Sequence, residues 1–289
     1  VARHTLGIMR AERLTDSLCY HGEGPVWWPT QELRWVDMLA GDVLSRSLDG
    51  RVERTHVGTV AACLRPREGG GAIVALEHGL ATTHRDDLTE LVEHPDVVTD
   101  PGIRFNEGGC DAAGRFWCGT MAYDQREGAA TLYRFGPALE PYAALEGLTV
   151  ANGFDVSPDD RLVYHVDTST GEVSCFELDD DGQVQDRRTF VDVGDLHPDG
   201  LTVDAEGGVW VAMNGAGVVH RYSPEGHLDA EVQVGARQVT ACTFGGEDLR
   251  TLFVTTSREG LGEGDDPAAG SVFCVDPGVV GRPVRAWRG

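Results

Sequence analysis

Along nearly the whole chain, hydrophobic residues come in short runs, and each run is bounded by glycine, aspartate or proline. Runs of this length, rich in Val, Ile, Tyr, Phe and Trp, predict strands; the i, i+3, i+4 spacing of long amphipathic helices is missing. Six segments share one pattern: "TQELRWVDM" at 30–38, "GGGAIVAL" at 69–76, "AAGRFWCGTM" at 112–121, "PDDRLVYHVDTS" at 158–169, "AEGGVWVAMN" at 205–214 and "GEDLRTLFVTTS" at 246–257. Each is a polar turn, then a hydrophobic strand centred on a large or branched residue, then a small or polar exit.

The central residues are Trp35, Ile73, Trp117, Tyr164, Trp210 and Phe253, separated by 38, 44, 47, 46 and 43 positions. A strand-only repeat with a period in the forties predicts a β-propeller with four strands per blade. Six blades use up the 289 residues, so the chain is expected to be a single all-β, six-bladed propeller domain over 1–289. A blade buries its faces only against its neighbours, so the ring must close. The first full unit begins only near residue 17. The lead-in "IMRAERLTD" at 8–16 is therefore expected to supply a strand to the last blade, near "RPVRAW" at 282–287. "GLGEGDDPAAG" at 260–270 reads as a surface loop within a blade rather than a linker.

A second register runs through the same repeat. Glu23 in "HGEGPVW" lies 12 residues before Trp35, Asn106 in "RFNEGGCD" 11 before Trp117, Asn152 in "VANGFDV" 12 before Tyr164, and Asp199 in "HPDGLTVD" 11 before Trp210. Equal offsets in a circular repeat put residues at equal heights in different blades. Innermost strands line the central channel, so these four polar residues, with Arg104 beside them, are expected to converge on one point. Carboxylates and amide carbonyls are hard oxygen ligands, suited to Ca²⁺, Mg²⁺ or Mn²⁺, with Zn²⁺ as a further candidate. Taken singly, each stretch is also an ordinary Asn-Gly or Asp-Gly turn.

Charge and composition narrow the partners. With 24 Lys plus Arg against 47 Asp plus Glu, the net charge is −23. That balance argues against nucleic acid and anionic membrane as partners. The seven cysteines form no C-x-x-C pair, and Cys118, Cys175 and Cys274 lie in apolar runs. Reduced thiols in a cytoplasmic protein are expected. Neither a signal peptide nor a membrane-length apolar stretch is read. The G-x-S-x-G elbow, the phosphate loop and the H-E-x-x-H zinc helix are all missing, and the ten histidines are scattered.

The stretches "GEGPVW", "RFNEGGCDAAGRFWCGTM", "NGFDVSPDDRLVYHVDT", "PDGLTVDAEGGVWVA" and "AGSVFCVDPGVVGRP" occur in this order from about residue 17 onward. They resemble the senescence-marker-protein (regucalcin)/gluconolactonase family of six-bladed propellers. That resemblance implies one divalent cation in the channel and hydrolysis of a small sugar-acid lactone. It implies Glu23, Asn152 and Asp199 as cation ligands, Asn106 as a substrate contact or fourth ligand, and Arg104 as a substrate-binding residue. An acidic residue often follows "GTMA" in the family, a place taken here by Asp124, which is therefore expected to bind the substrate with Arg104 and Asn106. Asp199 is the expected general base, the alternative being activation of water by the cation alone. Glu107 stands where the family more often has aspartate, and His21 and His197 are extra imidazoles beside two expected ligands. The competing readings are a phosphotriesterase-like metal hydrolase and a non-catalytic calcium-binding propeller. The chain is expected to be a monomer or a weak homo-oligomer.

Overall fold

In the computed structural model, which describes residues 6–289, each marker residue sits on the second strand of a four-stranded antiparallel sheet. Six such sheets follow one another around a ring. Their innermost strands are Gly22–Trp28, Cys63–Pro66, Ile103–Cys110, Ala151–Val156, His197–Val203 and Val239–Gly245. The markers are all buried, and their aromatics pack from blade to blade. Trp117 stacks on Phe154 of the next blade at 5.2 Å between ring centroids, and Trp210 meets Phe244 edge-on at 5.8 Å. Phe253 of the last blade stacks on Trp27 of the first at 5.7 Å, the same relation carried across the closure. Hydrophobic side chains of each sheet therefore find cover only in the neighbouring sheet, which is why the repeat had to form a ring.

Closure differs from the expectation for residues 8–16 in one respect. Glu12–Arg13 pairs antiparallel with Phe273–Val275 and completes the last blade, as expected. Gly7–Arg10, however, runs parallel to Leu228–Gln233 and extends the fifth blade to five strands. The lead-in thus clasps two blades rather than one. Nor does 282–287 lie beside it. Trp287 donates its backbone N–H to Pro66 O (2.9 Å) in the second blade. Arg282 donates to the carbonyls of Val156, Ser157 and Val203 and pairs with Asp155 at 3.1 Å. These carbonyls at the ends of two innermost strands draw the guanidinium to that end of the channel. The loop 260–270 does fall within one blade, between Thr251–Thr256 and Phe273–Val275.

The polar turn before the marker strand is built around a buried aspartate. In the fifth blade Asp204 is fully buried and accepts from the backbone N–H groups of Glu206 and Gly208, from Trp210 Nε1 (2.9 Å) and from Arg221 Nε (2.8 Å). Asp111 plays the same part for Arg115 and Trp117. Asp204→Ala is expected to destabilise the protein by roughly 3–5 kcal/mol, because Arg221 and three N–H donors lose their acceptor. A lower urea midpoint at unchanged slope is the reading; an unchanged midpoint would show that the turn does not need this side chain.

Candidate active site and cation centre in the channel

All four polar residues of equal offset lie near the start of an innermost strand: Glu23, Asn106, Asn152 and Asp199. The strands do not run regularly there. Pairing with the second strand slips between Glu23 and Val26, between Phe105 and Gly108, between Ala151 and Phe154, and between Pro198 and Leu201. Each slip is a bulge, and a bulge re-aims the side chains it carries. The flanking glycines follow from this geometry. Gly24 has φ of +49°, a left-handed conformation that a side chain rarely adopts. A Cβ on Gly200 would stand 2.4 Å from Ala241 Cβ and 2.9 Å from Glu107 Oε2, so the strands close in on the channel only because it is bare.

Six polar side chains are buried in this region, none more than 5% exposed: Glu23, Arg104, Asn106, Glu107, Asn152 and Asp199. Their hydrogen bonds leave a specific remainder. Asn152 Nδ2 donates to Thr168 Oγ1 (3.0 Å), and its Oδ1 has no partner. Asn214 Nδ2 donates to Asp199 Oδ2 (2.9 Å), and Asp199 Oδ1 has none. Glu23 Oε2 accepts the N–H of Gly24 (2.9 Å). Asn106, by contrast, is engaged at both ends: Arg104 Nη1 donates to its Oδ1 (2.9 Å), and its Nδ2 donates to Ala151 O (3.1 Å). Arg104 Nε is a buried donor without an acceptor. Unpaired buried oxygens are costly, and a hard cation satisfies them. The donor set therefore fits a divalent cation. It is two carboxylates and an amide; among the described residues no three His, Cys, Asp or Glu side chains form a metal-holding group.

Electrostatics agree with that fit. Burial raises Asp199 to about 7, against the hydrogen bond from Asn214 that lowers it. Burial, then the nearby charges of Asp199 and Glu107, holds Glu23 well above the usual carboxylate range. Glu107 is the residue that the pattern of offsets did not single out. In a regular strand it would point away from its neighbour Asn106. The bulge between Phe105 and Gly108 spares it that fate, and it lies buried within the field of Asp199, with Oε2 unpartnered. Burial and Asp199 together raise it well above the ordinary value.

These shifts fix the sign of a pH effect. Protons would compete with a cation placed between Glu23 and Asp199, since only the charged forms are good ligands. The gain in melting temperature on adding Ca²⁺ or Mn²⁺ is expected to grow as pH rises from about 5 to about 8, through the raised pKa of Asp199. The difference is the proper readout. In the cation-free protein the raised carboxylates lose stability as pH rises, while His21 and His165, each lowered by burial to about 3, lose it as pH falls. A gain that is flat or falls with pH would contradict the assigned ligands.

The remaining expected residues are engaged in other contacts or exposed. Asp124 is exposed and pairs with Arg126 at 3.2 Å. His21 is buried, with Nδ1 2.7 Å from Ser257 Oγ, and His197 is exposed at the start of its strand. All seven cysteines are free and six are buried. Among the described residues no helix is long and apolar enough to cross a membrane.

Comparison with known proteins places this geometry in context. The family model for the SMP-30/gluconolactonase/LRE-like region matches residues 21–258. A 6-deoxy-6-sulfogluconolactonase from Pseudomonas putida is 36% identical, the alignment covering 90% of this chain and 92% of that one. A pentonolactonase from Haloferax volcanii is 31% identical, with 95% and 97% covered. The crystal structure of a calcium-binding protein, regucalcin, from Agrobacterium tumefaciens superposes with a TM-score of 0.92 at 26% identity, covering 99% of each chain.

Proposed function

The chain belongs to the SMP-30/gluconolactonase/LRE-like family, and from that membership we propose that it hydrolyses a sugar-acid lactone, with one divalent cation held in the channel. The observation that carries the proposal is the pair of buried, unpartnered oxygens, Asn152 Oδ1 and Asp199 Oδ1, at equivalent heights with the Glu23 carboxylate. The relatives support the reaction class. The Pseudomonas putida protein is named for a sulfonated gluconolactone and the Haloferax volcanii protein for pentonolactones. Both are sugar lactones of different size and charge, so they point to the ester bond and not to one sugar.

Glu23, Asn152 and Asp199 would hold the cation. When bound, it supplies Lewis-acid chemistry, polarising the lactone carbonyl and favouring the negative charge that develops on its oxygen. Arg104 and Asn106 bind the substrate: the unpaired Nε–H is a ready donor, and the Arg104–Asn106 hydrogen bond fixes the amide. Buried donors of this kind reject substrates that leave them unpaired. Asp199 acts as base, taking a proton from the attacking water and returning it to the ring oxygen as the C–O bond opens. Asn214 donates to Oδ2 and so holds the carboxylate in one orientation. Asp124, exposed and paired with Arg126, could contribute only by swinging away from that partner.

A panel of aldonolactones, assayed with Ca²⁺, Mn²⁺, Mg²⁺ and Zn²⁺ in turn, tests the reading. Turnover of at least one sugar lactone, well above spontaneous opening, is expected. Hydrolysis of an organophosphate but of no lactone would replace it with phosphotriester chemistry. A cation-dependent melting temperature with no hydrolysis at all would make this a binding propeller.

A further inference from the structure

The rim of the channel carries charge that ring opening does not require. Two carboxylates stand there. Glu259 follows the second strand of the last blade; its Oε2 lies 3.3 Å from His21 Nδ1, its N–H donates to Ser257 Oγ (2.9 Å) and its carbonyl accepts from Gln238 Nε2 (3.0 Å). Glu77, on the corresponding turn of the second blade, accepts from Tyr123 Oη at 2.7 Å and holds the N–H of Phe105 through its carbonyl (2.9 Å). Tyr123 lies between Glu77 and the channel, its ring 5.6 Å from Arg104 Cζ. In an antiparallel blade the end of the second strand lies beside the start of the first, so both turns open at the end of the channel where Glu23, Asn152 and Asp199 begin their strands.

The local positive charge is already committed. Arg104 is buried and feels Glu259, Glu23 and Asp199 together. Arg126 is paired with Asp100 (2.6 Å) and Asp124 (3.2 Å). Arg258, next to Glu259, turns its Nε to Cys19 O (2.8 Å). A net charge of −23 adds to the same field at longer range.

We infer that Glu259 and Glu77 make the channel mouth selective for lactones with an uncharged tail and exclude those whose far end bears a carboxylate, phosphate or sulfonate. This rests on the lactonase reading and deepens it. The effect is exclusion: negative charge at the mouth penalises a negatively charged substrate without adding affinity for a neutral one.

The test compares kcat/KM for glucono-1,5-lactone and for its 6-phosphate, using the cation-loaded protein at low and high salt. The neutral lactone is expected to be preferred by roughly tenfold or more at low ionic strength. That ratio is expected to fall about three- to fivefold in Glu259→Gln and in Glu77→Gln, and to fall in the unmodified protein as salt screens the rim. The salt series stands even if a variant folds poorly. A wild-type preference for the phosphorylated lactone, or a ratio indifferent to salt and to both substitutions, overturns the inference while leaving lactone hydrolysis intact. Turnover of no lactone in the aldonolactone panel overturns both.

Discussion

Removing divalent cations is expected to lower lactone hydrolysis by about a thousandfold or more, and adding one back is expected to restore it. The size follows from what the channel lacks without a cation. Several kcal/mol of charge stabilisation at the carbonyl oxygen would be missing, and each 1.4 kcal/mol is a factor of ten in rate. Arg104, the guanidinium beside the site, is already shared among Tyr123, Glu259, Glu23 and Asp199. It cannot replace a dication. The measurement is initial rate on an aldonolactone after exhaustive chelation, corrected for spontaneous opening, then titration with Ca²⁺, Mn²⁺, Mg²⁺ and Zn²⁺ separately. Full activity after complete chelation would end the case for a cation mechanism. It would also require another explanation for Asn152 Oδ1 and Asp199 Oδ1, which are buried without partners.

The second large effect belongs to Asp199→Asn. An asparagine fills the same space and can keep a contact with Asn214, which now donates to Oδ2. It loses the negative charge and the ability to take a proton. A positioned base contributes about 10²–10⁴ in rate, so kcat is expected to fall by about 10³-fold even at saturating cation. Cation affinity should fall as well, seen as a smaller gain in melting temperature at a fixed concentration. Glu23→Gln separates the two roles. It removes a ligand charge but no base, so it should weaken cation binding more than it lowers kcat at saturation. If both variants retain normal affinity and turnover, the centre lies elsewhere in the channel.

Much of the candidate site was legible in the sequence, because a propeller repeats its geometry in its sequence. Trp35, Trp117, Tyr164 and Trp210 mark one strand per blade, and counting back 11 or 12 residues reaches Glu23, Asn106, Asn152 and Asp199. All four are buried on innermost strands. Glu107 was harder to read. Strict alternation turns it away from the channel, and only the slip in pairing between Phe105 and Gly108 brings it in. Asp124 shows the converse. Its position after "GTMA" is a matter of order along the chain, but its carboxylate is turned to Arg126 in solvent.

Alternation, turn chemistry and a period near 44 determined the class, the blade count and the strand positions of the candidate residues, because burial against a neighbour imposes the same pattern on every blade. Tertiary structure alone decided the rest. It set which blade each N-terminal strand joins, where Arg282 finds its acceptors, which oxygens are left without partners, and which partners Glu259 and Glu77 meet. Those outcomes depend on hydrogen bonds and charges between residues as far apart as Glu77 and Tyr123, or His21 and Glu259. No local pattern records such pairs, since each partner satisfies its own strand equally well without the other.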